Sequence, residues 1–161
     1  MIATFTELLH RTRQHHAIEH ATLHVLTGRH PGKRLTGYSD PLGFTILGEL
    51  DEQSIRRGVG DALLRLQAGE HSLALHPNCG TNLVTSAVLV ALVATIMGRK
   101  QQALERFVTT LIAVLPVILF AKTVGFYLQG YTTSNEVGDR WVAEIRPVLI
   151  AGMRAHRVLF E

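Results

Sequence analysis

Two long apolar stretches limit the folds available to this chain. Residues 81–98 carry no charged side chain, and residues 107–128 are interrupted by Pro116 and by Lys122. A helix rises about 1.5 Å per residue, so the first stretch reaches about 27 Å, near the thickness of the hydrocarbon core of a bilayer. The pair predicts a two-helix transmembrane hairpin. Two helices buried in a soluble bundle are the alternative interpretation.

The residues before the apolar stretches predict a small α+β domain. Apolar residues at helical spacing predict a helix over residues 6–27. β-prone runs around turn residues predict a hairpin within residues 33–50. A capped, amphipathic pattern predicts a second helix over residues 51–69, and residues 72–75 resemble a brief strand.

These patterns together predict an α+β fold in three parts. Residues 1–80 form an N-terminal α+β domain, residues 81–130 form the hydrophobic hairpin, and residues 131–161 contain a C-terminal helix that follows a polar turn. The helix is expected over about residues 135–157.

Composition excludes some partners and indicates a compartment. The net charge of +3 comes from scattered basic residues, and aromatic residues make up 6% of the chain, so we expect no nucleic-acid surface. Cys79 is the only cysteine, which rules out an internal disulfide and fits a reducing compartment.

The same evidence predicts a multi-pass protein of the cell membrane, with lipid as a partner. The first residues lack the basic start and long apolar run of a secretory signal. Arg99, Lys100 and Arg106 between the apolar stretches would by themselves favour a cytoplasmic linker, which one membrane crossing separates from the N-terminal domain. The missing export signal and the free thiol favour the opposite orientation, and we expect the N-terminal domain to lie in the cytoplasm. The oligomeric state is left open.

A metal-site pattern lies within the first predicted helix. His16, Glu19 and His20 spell H-x-x-E-H, the order of the inverted zincins. Residues four apart lie one turn apart on the same helix face, so both imidazoles can point at one cation. Glu19 is placed to act as a general base. The alternative is a histidine-rich helix that faces solvent.

A catalytic zinc site normally has three protein ligands, so a further ligand must come from elsewhere. Residues 76–81, which read H-P-x-C-G-T, are the best source, because His76 and Cys79 are both good zinc ligands. The alternative is an ordinary connection to the next helix, with Cys79 as a small apolar filler.

Three motifs in order resemble the YqhQ-like family of uncharacterised bacterial membrane proteins. They are the H-x-x-E-H helix, the H-P-x-C-G-T segment before a hydrophobic hairpin, and residues 128–133, which read L-Q-G-Y-T-T. The matches extend over roughly residues 15–145. The resemblance implies a metal-dependent membrane enzyme, with the H-x-x-E-H and H-P-x-C-G-T residues at its site.

Three functions follow from these patterns. The first is a membrane-embedded hydrolase that uses Zn²⁺ or another divalent transition metal to cleave a peptide or membrane protein, with His16 and His20 as ligands, His76 or Cys79 completing the site and Glu19 as base. The second is a non-catalytic membrane protein with a structural metal held by the same four ligands. The third is an interaction module without metal.

Overall fold

The computed structural model describes residues 4–77, 79–97, 103–134 and 136–161. Within these ranges the chain forms four α-helices and one antiparallel four-stranded sheet, which confirms the predicted α+β class. The basic residues Arg99 and Lys100, on which part of the predicted orientation depends, lie outside the described ranges. In chain order the elements are α1 (Phe5–Arg29), β1 (Thr36–Asp40), β2 (Gly43–Leu47), α2 (Glu52–Gln67), a 3₁₀ turn (His71–Ala74), α3 (Gly80–Met97), α4 (Ala103–Thr132), β3 (Val142–Ile150) and β4 (Met153–Phe160).

Helix α1 begins and ends at capped positions. The side chain of Thr4 accepts a hydrogen bond from the backbone N–H of Glu7, and the backbone N–H of His30 donates to the carbonyl of Leu26 at the other end. Its second half is buried nearly all round. The histidines predicted to bind metal therefore lie on a rigid helix that is enclosed by the rest of its unit.

The predicted C-terminal helix is wrong, because residues 142–160 form a β-hairpin. Strands β3 and β4 pair antiparallel around a turn in which Ala151 (φ 49°) and Gly152 (φ 79°) both adopt positive φ. That geometry is typical of a tight hairpin turn. Pro147, which would interrupt a helix, lies in β3, and β3 is an edge strand where a missing N–H is tolerated.

The sheet has the order β1-β2-β4-β3, so the last strand lies at its centre beside β2. Helices α1 and α2 pack with it around one core, whose largest fully buried members include Phe44, Ile18, Leu26 and Ile55. Gly58 permits the two helices to approach closely, because a Cβ there would lie 2.8 Å from Cγ of Leu26. This core fixes α1 in place.

The predicted strand over residues 72–75 is also wrong. After α2, Gly69 adopts a φ of +97°, and the chain continues as a 3₁₀ turn. Hydrogen bonds from the N–H of Leu73 to the carbonyl of Glu70, and from the N–H of Leu75 to that of Ser72, close this turn. The chain leaves it with the carbonyls of Ala74 and Leu75 bonded to histidines of α1.

The described residues divide into two compact units. One contains the sheet, α1, α2 and the 3₁₀ turn, and the other is residues 77–131. In the second unit Asn82 and Gln129 are buried, and the side-chain amide of Gln129 donates to Oδ1 of Asn82 at 2.9 Å. Gly125 lies against Asn82, where a Cβ would come within 2.9 Å of its Cα.

One helix of the second unit is long and apolar enough to cross a membrane. The segment Phe107–Thr132 has 26 residues and a mean hydropathy of 2.2, and only 6% of its most apolar window is buried. Gly80–Ile96 is apolar but shorter. The large apolar side chains of the longer helix, such as Phe107, Leu119 and Phe120, are mostly exposed.

Candidate metal centre

Backbone carbonyls fix the orientation of the two histidines of the H-x-x-E-H pattern. Nδ1 of His16 lies 3.1 Å from the carbonyl oxygen of Thr132, and Nδ1 of His20 lies 2.6 Å from that of Ala74. A carbonyl only accepts, so both Nδ1 atoms carry the proton and both Nε2 atoms keep a lone pair. Metal-binding histidines are commonly held in this way.

The two imidazoles lie next to each other, with ring centroids 4.3 Å apart. His20 is almost fully buried, whereas His16 is partly exposed. One ligand position is therefore shielded from water and the other lies nearer the surface. The spacing thus places the two imidazoles side by side, and their assignment as metal ligands stays a prediction.

Cys79 supplies a sulfur to the same place. Its Sγ and one ring nitrogen from each of His16 and His20 all lie within 4.8 Å of one another. Donors around a tetrahedral zinc ion are about 3.5 Å apart, given bond lengths of about 2.0–2.3 Å. The 4.8 Å limit is about 1.3 Å wider than that spacing. These residues can hold a metal ion.

The surroundings of Cys79 suit a thiolate ligand. The backbone N–H of Thr81 lies 3.3 Å from Sγ, and Cys79 directly precedes the first residue of α3. An N–H donor and the positive end of a helix both stabilise a negative sulfur. The thiol is 5% exposed. Of the two predicted roles for Cys79, this environment is more typical of a ligand than of an apolar filler.

His76 lies between two histidines of α1. Its ring centroid is 4.8 Å from that of His24 and 5.7 Å from that of His20. Burial, followed by the charges of His24 and His20, lowers the pKa of His76 to about 4. The ring is therefore neutral at pH 7, which is the form that binds metals. Whether His76 is the third or fourth ligand of the first cation stays a prediction.

Glu19 is buried against strand β1. Its Oε2 accepts a hydrogen bond from the hydroxyl of Ser39 at 2.5 Å. Gly37 permits this approach, because a Cβ there would lie 2.6 Å from Oε1 of Glu19. The carboxylate is 4% exposed and is thus held in one place by the edge strand of the sheet. Its role as a base stays a prediction.

The sequence reasoning missed several residues around this centre. His24, a possible spare ligand by its spacing, is partly exposed as its position on the helix suggests, and its Nε2 lies 2.7 Å from the carbonyl of Leu75 while its ring contacts His76. Its position one turn beyond His20 was the available signal. Ser39 and Gly37 carried no pattern that related them to Glu19.

A family model described as a domain of unknown function, DUF6391, matches residues 11–145. An uncharacterized protein of Picosynechococcus sp. is 41% identical over 88 residues, which is 49% of this chain and 43% of that relative. The matched part of the chain thus spans less than half of the relative's length. No solved structure matches. Because the family model covers most of the sequence, including every residue of the candidate metal centre, the chain belongs to the DUF6391 family.

Proposed function

We propose that this protein is a membrane-embedded, zinc-dependent hydrolase that cleaves peptide bonds. The observation that supports this most is the donor set: two imidazoles with fixed tautomers and one thiol within reach of one cation, with a buried carboxylate on the same helix. Three protein ligands leave a coordination position open, which is the arrangement of catalytic rather than structural zinc.

His16, His20 and Cys79 would hold the ion. Zn²⁺, or another divalent transition metal with an affinity for nitrogen and sulfur, would polarise a water molecule and the scissile carbonyl when bound. The carbonyls of Thr132 and Ala74 hold the Nδ1 protons of His16 and His20, so Nε2 is the ring atom that would bind the ion in each.

Glu19 would take the proton of the attacking water. A general base must be held within reach of that proton. The hydrogen bond from Ser39 and the packing against Gly37 restrict the carboxylate to one position.

The second unit would anchor the site in the membrane. We propose that α3 and α4 cross the bilayer as a hairpin, with the N-terminal unit in the cytoplasm. The exposed apolar side chains of α4 support contact with lipid. Tyr127 and Tyr131 near the end of α4 are both exposed and lie one turn apart, as expected for aromatic residues at a membrane interface. The resemblance to the YqhQ-like proteins is compatible with this arrangement.

The experiment compares purified full-length protein with single variants in detergent micelles. Metal content is measured by mass spectrometry, and cleavage is measured on peptides from a digest of membrane proteins. We expect Glu19→Gln to keep its metal and lose cleavage, and Cys79→Ser and His20→Ala to lose metal. His10→Ala is the matched control, because His10 is an exposed histidine of the same helix. A Glu19→Gln protein with undiminished cleavage would refute the assignment of the base.

A structural metal is the second candidate, and the position of His76 favours it. A rotation of His76 towards His20, 5.7 Å away between ring centroids, would add a fourth ligand and close the site. In that case Glu19 would only support the ligands. A metal-bound form with four protein ligands, no coordinated water and no cleavage would establish this alternative.

A further inference from the structure

We infer that His24 and His76 form a second binding site for a divalent cation, beside the one assigned to His16, His20 and Cys79. The inference depends on the proposed metal centre for its neighbouring site, but it does not require that the protein cleave peptides.

The imidazoles form a continuous series rather than a single cluster. Ring centroids are separated by 4.3 Å from His16 to His20, by 5.7 Å from His20 to His76 and by 4.8 Å from His76 to His24. The two short separations define two pairs, and the longer one lies between them. The ring of His76 is thus closer to that of His24 than to that of His20.

The available nitrogen of His24 differs from that of its neighbours on α1. Its Nε2 lies 2.7 Å from the carbonyl oxygen of Leu75, so Nε2 carries the proton and Nδ1 keeps the lone pair. In His16 and His20 the assignment is reversed. Consecutive carbonyls, of Ala74 and Leu75, impose these opposite tautomers on His20 and His24. The segment before His76 therefore sets which nitrogen each helix histidine offers.

The two sites should differ in affinity. The first offers a thiol and a buried imidazole, whereas the second offers two imidazoles that are both partly exposed. Two imidazoles leave more positions for water or for oxygen atoms of a substrate, so we expect weaker and more rapidly exchanging binding. Two adjacent cations can bind both the attacking and the leaving oxygen in a displacement reaction.

The test is a Co²⁺ titration of the metal-free full-length protein in detergent micelles. Absorbance reports thiolate–cobalt charge transfer, and equilibrium dialysis reports the number of ions bound. We expect the first equivalent to produce the charge-transfer band, and a second equivalent to bind more weakly without adding to it. His24→Gln should lose the second equivalent and keep the band, because glutamine can still donate to Leu75. His10→Gln serves as the control.

The outcomes separate the two proposals. Wild-type protein that binds one equivalent, or a His24→Gln variant that still binds two, would overturn the second site while leaving the first intact. If no charge-transfer band forms, or Cys79→Ser does not abolish it, the first site itself is refuted. Loss of the charge-transfer band in His76→Gln, but not in His24→Gln, would place His76 on the first cation and overturn the second site.

Discussion

The contact between Gly37 and Glu19 gives a prediction that can be tested without a known substrate. In Gly37→Ala, the added Cβ would lie 2.6 Å from Oε1 of Glu19, and 3.0 Å from its Cγ and Cδ. Ordinary contacts of this kind begin at about 3.4 Å, so the carboxylate must move by about 0.8 Å. Glu19 is 4% exposed and has little free space in which to move.

The displacement should break the hydrogen bond from Ser39 to Glu19, which is 2.5 Å long. Hydrogen bonds to charged groups contribute about 1.5–3 kcal/mol to stability. Replacing glycine with alanine where the backbone permits it returns about 0.4–1 kcal/mol through the unfolded state. We therefore expect a net loss of about 1–2 kcal/mol, or a decrease in Tm of about 2–8 °C for a chain of this size.

Thermal unfolding in micelles measures this loss, with Gly60→Ala as the matched control. A Cβ at Gly60 meets nothing within 4 Å, and the residue lies inside α2, so that variant should gain about 1 kcal/mol from helix propensity. If Gly37→Ala is as stable as Gly60→Ala, Glu19 is not held against β1 as described.

A double-mutant cycle identifies the partner. Ser39→Ala should be destabilising in the wild-type background and nearly neutral in Gly37→Ala, with a coupling of about 0.5–3 kcal/mol. Metal content should not change in either variant. If the protein is a hydrolase, cleavage by Gly37→Ala should decrease by about 10–100-fold, because displacements near 1 Å have effects of that size. Equal effects of Ser39→Ala in both backgrounds would refute the proposed contact.

Three further predictions concern acid, helix packing and metal. Burial is the largest cause lowering the pKa values of His15, His76 and His156, so each takes up a proton on unfolding below about pH 6.5. The metal-free protein should therefore lose stability as the pH decreases from about 6.5 towards 4. In thermal unfolding with chelator, the Tm of His156→Gln should decrease less steeply with decreasing pH than the Tm of the wild type. In Gly125→Ala, the added Cβ would press on the backbone Cα of Asn82 and push α3 away from α4. We expect the free energy of unfolding to decrease by about 1–3 kcal/mol and proteolysis of the hairpin to become faster. Unchanged proteolysis would contradict that packing. Removing the metal with a chelator should lower Tm in a way that excess Zn²⁺ reverses, and Cys79→Ser should show no such response.

Local patterns predicted α1 and α2 well because their signals lie within a few residues. The side chain of Asp51 accepts from the N–H of Ser54 at the start of α2, and that of Asp40 accepts from the N–H of Leu42 in the turn between β1 and β2. The H-x-x-E-H spacing placed two imidazoles on one face for the same reason. The C-terminal hairpin was missed although Pro147 and Gly152 both disfavour a helix, since apolar residues there also repeat at helical spacing.

The contacts between distant segments had no local signal. The carbonyls that orient His16 and His20 come from residues 132 and 74, and a carbonyl is present in every residue. The pairing of β2 with β4 joins Gly43 to Leu159, and no nearby residue encodes that register. Ser39 reaches Glu19 only because β1 packs on α1. Such relations depend on the folded chain as a whole.

The central place of β4 in the sheet has a consequence for biosynthesis. Strand β2 acquires its second neighbour only after the ribosome has translated both apolar helices, since they precede β4 in the chain. A two-stranded ribbon by itself is marginally stable in water. The two apolar helices are therefore synthesised before the sheet behind Glu19 can be completed, so the strand pairing that holds Glu19 in place forms last.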